Sequence, residues 1–370
     1  MSSLAEPVTI GRMVAPHRIA MAPMTRHRAD PRGVPTHLMV RYYAQRADAA
    51  FIVTEGTLID FPPQLLSVPQ PRSAAGAIGT SPGLVTDAQE AGWRSVVDAV
   101  HVLHGRIVVQ LWLAGRLAHH PHELPVSEFD LTPDDMSRAE LAQVVDRYQA
   151  AAARAAAAGF DAVEIHAGTG SLLDEFFRTS VNHRDDAYGG GDVVGRTRLA
   201  LEAVDAVAAE VGADRTGVRV APHLASRAVA CPFIVDTVEH LAARLDERGV
   251  AYLHVAESDW AEVPEPDAGF HERLRAAFGG TVVAAGEYTL AKALRAVGDG
   301  LVDVVAFGRA FVANPDLPTR LIAGLPLAEP DLTSLYSGGA KGYTTYPRWG
   351  ADVPGSPAGG TAGHARVRTR

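Results

Sequence analysis

Short apolar runs recur along the chain, and amphipathic segments separate them. Eight runs, rich in Val, Ile and Ala and bounded by turn residues, lie at RIAMAPM (18–24), FIVTEG (51–56), RIVVQLW (106–112), AVEIHA (162–167), GVRVAP (217–222), YLHVAE (252–257), TVVAAG (281–286) and VDVVAFG (302–308). Near-continuous apolar character is typical of parallel strands that are covered on both faces. The pattern therefore predicts eight buried parallel strands.

The segments between these runs have the apolar period of helices. The clearest of them lie over 36–47, 86–103, 137–159, 193–212 and 235–249. The first two begin at a Thr that could cap the helix, and the third ends at a Gly, as a helix stop should. Because strand and helix alternate eight times, we predict an α/β fold, a closed (β/α)8 TIM barrel. An open doubly wound sheet is disfavoured, since no G-x-G-x-x-G follows the first run.

Three segments fall outside the ideal barrel. VTIGRMV (8–14) predicts an N-terminal β-hairpin on the barrel floor, and the polar stretch 115–136 predicts a long lid loop after the third strand. We expect residues 1–349 to form a single domain that binds the cofactor. The stretch 350–370 is rich in Gly, Ala and Pro, and we expect a disordered tail there.

Composition narrows the classes of function. The 370 residues carry a net charge of −9, and the basic residues are scattered, so we expect no nucleic-acid partner. Neither a signal-like N-terminus nor a long apolar run is visible, so we expect a cytoplasmic protein without membrane contact. Cys231 is the only cysteine, which excludes an internal disulfide and a cysteine-ligated iron–sulfur cluster. We expect a small-molecule substrate; assembly into a homo-oligomer stays open.

The active site of such a barrel lies at the C-terminal ends of its strands. Hydrogen-bond donors and glycines dominate those ends, which carry Thr25, Glu55, Gly56, Gln110, Trp112, His166, Arg219, Glu257, Gly286, Gly308 and Arg309. No Ser-His-Asp set, Schiff-base lysine or clustered carboxylate pair is among them, and no metal site is predicted. Neutral donors together with two arginines suit an anionic, delocalised ligand.

The last two strand ends predict a phosphate site. Barrels bind phosphate on backbone N–H groups after strands 7 and 8, where this chain has AAG (284–286) and AFGR (306–309). Glycines let the backbone approach the ligand closely, and Arg309 could add charge-assisted bonds to phosphate oxygens. The alternative interpretation is ordinary turn glycines beside a surface arginine.

A set of longer stretches points to one family. They are RIAMAPMTR, YYAQRADAAFIVTEGTLI, GWRSVVDAVH, VVQLWLAGR, FDAVEIHAGTGSLLDEFF, NHRDDAYGG, GVRVAP, AFGRAFVANPDLPTRL and YSGGAKGYTTYP. In this order and spacing the chain resembles the old yellow enzyme family of FMN-dependent oxidoreductases over roughly residues 8–347. The resemblance implies FMN, with NADPH or NADH as reductant, and hydride transfer from flavin N5 to an α,β-unsaturated carbonyl compound. The longer iron–sulfur branch of that family is excluded, because it needs a cysteine cluster.

The resemblance also implies roles for individual residues. The implied FMN-binding residues are Ala22, Pro23, Met24, Thr25, Gly56, Gln110, Arg219, Gly286, Gly308 and Arg309. Among them, Thr25 would lie near flavin O4 and N5, Gln110 at the pyrimidine edge, and Arg219 beside N1 and O2. Tyr343 would be an aromatic over the substrate site, with Trp112 similarly placed, although core packing is an alternative for both.

The chain departs from the family after the fourth strand. The family usually has His-x-x-Asn or His-x-x-His there, followed two residues later by a Tyr that supplies a proton; this chain has His166, Thr169 and Ser171. A positioned general acid contributes about 10²–10⁴-fold, and a serine hydroxyl is too weak an acid to replace it. We therefore predict an altered proton path that uses His166 and Thr169 with Tyr343 or a water. The small side chain of Ser171 would widen the substrate pocket.

Two alternatives stay open for the function. The first is a specialised flavin-dependent oxidation, desaturation, isomerisation or cyclisation in secondary metabolism, where a strong acid would be unhelpful. The second is a flavin-binding protein that has lost catalysis.

Several further polar residues need an explanation. His119, His120 and His122 lie in the predicted lid, where a zinc site is disfavoured because no carboxylate stands at suitable spacing. We instead expect His119 to belong to the substrate pocket, where a histidine could replace the missing donor. Glu55 is expected to make a structural hydrogen bond, Glu257 is left without a role, and the loop around Arg184 and Asp185 is expected to tie the lid to the barrel.

Overall fold

A computed structural model describes residues 3–59, 81–115, 132–168, 171–223, 231–257 and 269–351. Its strands are β1 Val8–Ile10, β2 Met13–Ala15, β3 Ile19–Met21, β4 Ile52–Val53, β5 Thr57–Leu58, β6 Ile107–Trp112, β7 Ala162–Ala167, β8 Thr216–Val220, β9 Tyr252–Ala256, β10 Thr281–Ala285 and β11 Val304–Phe307. Its α-helices are α1 His37–Ala44, α2 Asp87–His101, α3 Arg138–Ala158, α4 Leu172–Phe177, α5 Val193–Val211, α6 Ile234–Asp246, α7 Phe270–Ala277, α8 Leu290–Gly298, α9 Arg309–Ala313 and α10 Leu317–Ala323. Short 3-10 helices lie at Ser3–Ala5, Pro133–Asp135, Ala213–Arg215 and Leu332–Ser334.

Strands β3 to β11 form one parallel sheet that closes on itself. Their order is β4-β3-β11-β10-β9-β8-β7-β6-β5, and β4 also pairs with β6, which closes the ring. The short strands β4 and β5 are two pieces of the second barrel strand, since both pair with β6. The prediction of a (β/α)8 TIM barrel is therefore confirmed.

The antiparallel hairpin of β1 and β2 is also confirmed, and it lies at the barrel floor. Its turn contacts the chain just before β8, because the amide of Arg12 donates to the Asp214 carbonyl at 3.2 Å. Gly11 has a φ of 54°, and a Cβ at this position would overlap the same carbonyl. Glycine is therefore required by both the conformation and the close approach.

Alternate residues of each barrel strand enter different cores. In β11, Val304 and Ala306 point toward the barrel interior and the floor hairpin, whereas Val305 and Phe307 pack against the helices. Both faces of the strand are thus apolar. This arrangement explains why the strands appear in the sequence as continuous apolar runs.

The predicted helix starts are correct, although one cap differs. Thr86 begins α2 in a capping box with Gln89, and Gly159 ends α3 with a φ of 91°. Thr36 precedes α1 but makes no capping hydrogen bond, because its hydroxyl donates to the Arg28 carbonyl at 2.7 Å instead. Within the described residues, no helix is both long and apolar enough to cross a membrane.

Two predicted segments lie largely outside the described residues: the lid, of which 116–131 are not covered, and the tail, of which 352–370 are not covered. Their structures, and the single-domain boundary at 349, stay predictions.

Candidate active site

The loop after β3 carries the first group of predicted flavin contacts. Its conformation is fixed by Glu55, whose carboxylate accepts the backbone N–H groups of Arg26 at 3.0 Å and His27 at 3.1 Å. The Tyr43 hydroxyl accepts the Glu55 amide at 3.0 Å, which anchors the acid itself. The expected structural role of Glu55 is therefore confirmed, and Thr25 is left exposed at the loop surface.

One wall of the candidate site, beside that loop, is formed by Gly56, Gln110 and Trp112. A Cβ at position 56 would lie 3.4 Å from the Trp112 ring and 3.6 Å from Gln110 Oε1. The Trp112 ring is partly exposed, and its Nε1 is buried without a hydrogen-bond partner among the described residues. The wall thus presents an unsatisfied donor and an amide oxygen.

His166 and Arg219 are neighbours in register on β7 and β8. His166 Nδ1 and Arg219 Nε are both buried, and neither has a partner in the part of the chain that the structure describes. Burial, and secondarily the positive charge of Arg219, lowers the pKa of His166 to about 3. The imidazole is therefore neutral at physiological pH, and a neutral imidazole has one ring nitrogen that donates and one that accepts a hydrogen bond.

A buried carboxylate, that of Glu164, lies two residues before His166 on β7 and so deeper in the barrel. Glu164 is fully buried and accepts from Gln110 Nε2 at 2.7 Å and from the Tyr252 hydroxyl at 3.0 Å, and its Oε2 lies 2.8 Å from His254 Nδ1. No role for Glu164, Tyr252 or His254 could be predicted from the sequence. The available signal was an acid in the middle of an apolar strand, AVEIHA, and a histidine in another, YLHVAE.

The predicted phosphate residues meet at the ends of β10 and β11. These strands are adjacent, and β11 pairs in turn with β3. Gly286 has a φ of 154°, and a Cβ on Gly308 would lie 3.5 Å from the Met24 sulfur in the loop after β3. Arg309 is exposed at the start of α9. The glycine backbones, the arginine and the loop after β3 therefore share one rim of the barrel.

The structure places Tyr343 in the core, as the alternative interpretation of core packing expects, and a role over the substrate site stays a prediction. Its side chain is fully buried and stacks on Tyr42 with ring centroids 4.1 Å apart, while Arg26 and Arg28 contact the same ring. Its hydroxyl is buried and has no hydrogen-bond partner among the described residues. Tyr336, seven residues earlier, is the half-exposed aromatic of this segment, and its ring lies 6.2 Å from that of His27.

Ser171, which we expected to widen the substrate pocket, caps a helix. It is fully buried, its hydroxyl accepts the Asp174 amide at 3.3 Å as the N-cap of α4, and its backbone bridges Ala114. The side chain is committed to starting the helix. Thr169 and His119 lie outside the described residues, so their roles stay predictions.

Two other polar groups are structural. Glu257 is buried and bonded to the Tyr288 hydroxyl and to Lys292 Nζ, with His271 Nε2 at 3.2 Å. Arg184 ties its loop to the last residues of the predicted lid by donating to the carbonyls of Pro133 and Met136, and its guanidinium pairs with Asp186. Among the described residues, no cluster of three or more metal-ligating side chains occurs.

These features fit FMN. Trp112 Nε1, His166 Nδ1 and Arg219 Nε lie at the C-terminal ends of the strands, and none of these buried nitrogens has a partner among the described residues, which is costly unless a ligand supplies one. A planar ligand with carbonyl and ring-nitrogen acceptors and a phosphate would use this donor set and the glycine rim. Fold and site therefore define a flavin-binding TIM-barrel oxidoreductase.

Comparison with known proteins gives the family. A profile described as the NADH:flavin oxidoreductase / NADH oxidase family matches residues 3–328. Chanoclavine-I aldehyde reductase fgaOx3 of Penicillium roqueforti is 39% identical, with 94% of this chain and 96% of that protein covered. Putative 12-oxophytodienoate reductase 12 of Oryza sativa subsp. japonica is 38% identical over 91% of this chain and 86% of the relative. The structure of morphinone reductase superposes with a TM-score of 0.83 at 38% identity, covering 96% and 98% of the two chains.

The chain therefore belongs to this family, the old yellow enzymes, and is an FMN-dependent oxidoreductase that uses NAD(P)H. The predicted resemblance and cofactors are confirmed.

Proposed function

We propose that this enzyme reduces the carbon–carbon double bond of a small α,β-unsaturated carbonyl compound. The observation that carries this proposal is the adjacent pair of buried nitrogens on His166 and Arg219 at the barrel mouth, which have no partner within the described ranges. One donor would hold the substrate oxygen and the other the flavin. The relatives named above are all called reductases of aldehyde or oxo compounds, which supports the direction of the reaction.

The chain would hold FMN through residues on both sides of the barrel mouth. Thr25, Gln110 and Arg219 would bond the ring, and Gly286, Gly308 and Arg309 the phosphate, while Ala22, Pro23, Met24 and Gly56 would line the ring. Bound FMN supplies the hydride, and NADPH or NADH supplies its two electrons.

His166 would donate a hydrogen bond to the carbonyl oxygen as negative charge develops there. Because its imidazole stays neutral to about pH 3, it can stabilise that charge without giving up its proton. Thr169 is proposed as the second donor, and Trp112 and His119 as further pocket residues.

The proton for the α-carbon would come from water. Two observations support this source: the Ser171 hydroxyl caps α4, and the Tyr343 hydroxyl lies in the core. The carbonyl compound thus gains one hydride at the β-carbon and one solvent proton at the α-carbon.

The test is an anaerobic half-reaction. The bound flavin is reduced, 2-cyclohexenone is added, and flavin reoxidation is followed by absorbance. We expect reoxidation, and a decrease of about 10²–10³-fold in its rate in His166→Ala with FMN content unchanged. Tyr343→Phe is the matched control and should react at the parent rate.

Absence of reoxidation by simple enones would contradict the proposal. It would favour a specialised oxidation, isomerisation or cyclisation if another compound turned over, and loss of catalysis if none did. A slow Tyr343→Phe variant would restore that tyrosine as the proton donor.

A further inference from the structure

Glu164 is a buried carboxylate to which the proposed reaction assigns no step. It lies in the middle of β7, paired in register with Gln110 on β6 and with Gly217 on β8. His166 follows two residues later on β7, and Arg219 is its partner in register on β8; these two residues carry the donors of the candidate site. An acid held in a barrel interior without water needs a reason, because isolated buried charge is strongly unfavourable.

The hydrogen bond from Gln110 determines which end of the Gln110 amide faces the site. Gln110 Nε2 lies 2.7 Å from Glu164 Oε1, and an ionised carboxylate can only accept hydrogen bonds. The amide nitrogen must therefore face Glu164, and the amide oxygen is left to accept. This orientation suits the pyrimidine edge of a flavin, where an N–H group lies between two carbonyls.

The charge of Glu164 lies close to Arg219. Burial alone would raise the pKa of Glu164, but His254, Arg219 and the bond from Gln110 together hold the pKa below its usual value. The acid is thus ionised whenever the enzyme is at neutral pH. It offsets part of the positive field that Arg219 would place at the flavin.

Neighbouring strands are built to hold this acid. Tyr252 and His254, both on β9, reach across β8 to bond the same carboxylate oxygen. The crossing is possible because residue 217 is glycine: a Cβ there would overlap the Tyr252 ring. Three strands therefore contribute to the position of one carboxylate.

Given the flavin placement proposed above, on which this step rests, we propose that Glu164 is a positioning residue for the cofactor. It orients the Gln110 amide toward the flavin N–H, and it offsets the charge of Arg219 and so keeps the reduction potential low. It touches neither cofactor nor substrate and acts through these two residues.

The experiment separates the two effects with two substitutions, measured on the FMN-loaded enzyme and on the apoprotein titrated with FMN. Glu164→Gln removes the charge and permits the Gln110 amide to turn. We expect weaker FMN binding. We also expect the ratio of the affinity for reduced FMN to that for oxidised FMN to rise at least about tenfold, which raises the two-electron reduction potential by about 30 mV. Glu164→Asp keeps the charge but withdraws the oxygen from Gln110. We expect weaker FMN binding at nearly the parent potential.

The matched control is Glu202→Gln on α5, which makes the same chemical change in a Glu that also accepts a tyrosine hydroxyl, that of Tyr188. It should leave both quantities unchanged. If Glu164→Gln does not fold, Glu164→Asp decides, since parent FMN affinity in that variant overturns the orienting role. An unchanged potential in folded Glu164→Gln overturns the electrostatic role.

Gln110→Leu and Arg219→Met test the underlying flavin placement. Loss of FMN affinity in these variants, with no effect of the Glu164 substitutions, overturns the role of Glu164 alone. Parent affinity and potential in both overturn the flavin placement, and the role of Glu164 with it.

Discussion

Acid should destabilise this protein through two histidines at the barrel mouth. Burial and the nearby Arg219 lower the pKa of His166 to about 3, and burial and the nearby Arg28 lower the pKa of His27 to about 4. In the unfolded chain both titrate near 6.5. Between its folded pKa and the unfolded pKa of 6.5, each imidazole is neutral in the folded protein and gains a proton only when the protein unfolds. The stability that their neutral forms confer is complete above pH 6.5 and is lost as the pH falls toward the folded pKa.

The size of this loss follows from the linkage relation. At about pH 5, which is about 1.5 units below the unfolded pKa, each histidine removes about 2 kcal/mol from the free energy of unfolding. Both side chains are less than a tenth exposed, so little of this is screened by solvent. Together they should account for about 4 kcal/mol between about pH 7.5 and pH 5.

The assay is urea unfolding at constant ionic strength and saturating FMN, for the parent and for His27→Asn/His166→Asn. We expect the double variant to lose about 4 kcal/mol less than the parent over this pH range, and each single variant about 2 kcal/mol less. The pKa values of His17 and His254 are also lowered by burial, but these residues are present in every variant and cancel in the comparison. Equal losses in parent and double variant would refute the reasoning.

Two further predictions concern the scaffold. Glu55→Ala should remove the acceptor that Glu55 provides to two backbone N–H groups, cost about 2–6 kcal/mol and weaken FMN binding, whereas Glu55→Gln, which keeps an acceptor, should cost far less. Urea midpoints of the two variants are compared at one pH, and equal costs would argue against this role of Glu55. Gly217→Ala should cost about 1–3 kcal/mol or more by displacing Tyr252. Its control, Gly298→Ala at the open end of α8, should be neutral or stabilise by up to about 1 kcal/mol, and a harmless Gly217→Ala would mean that the Tyr252 ring has room to move.

The barrel could be predicted from the sequence because each strand is an apolar run ended by turn residues, and few structures other than a buried strand fit such a run. The break in the second strand could not. Thr54 accepts the Gln110 amide through its side-chain hydroxyl at 3.0 Å, which replaces a backbone bond and separates β4 from β5. Nothing in FIVTEG distinguishes a threonine that will do this from one that packs.

The candidate site could likewise be predicted only in part. The strand ends fix where His166 and Arg219 lie, since their positions follow from topology alone. The burial of Tyr343 depends on Tyr42, some three hundred residues earlier in the chain. The sequence alone does not distinguish a tyrosine that packs in a core from one that covers a pocket. The capping role of Ser171 could not be predicted either, because a small residue after a glycine is equally suited to widening a cavity and to capping a helix.

The pairing of β3 with β11 has a consequence for how the enzyme matures. This pairing joins the first and last barrel strands, and the Ala22 amide extends it by donating to the Phe307 carbonyl at 3.0 Å. During synthesis, β3 leaves the ribosome long before its neighbour exists, so the ring can close only when nearly the whole chain has emerged. The rim proposed to hold the FMN phosphate spans this closing seam. FMN bound across this seam would then stabilise the closed ring, because a ligand that binds only the folded chain shifts the folding equilibrium toward it.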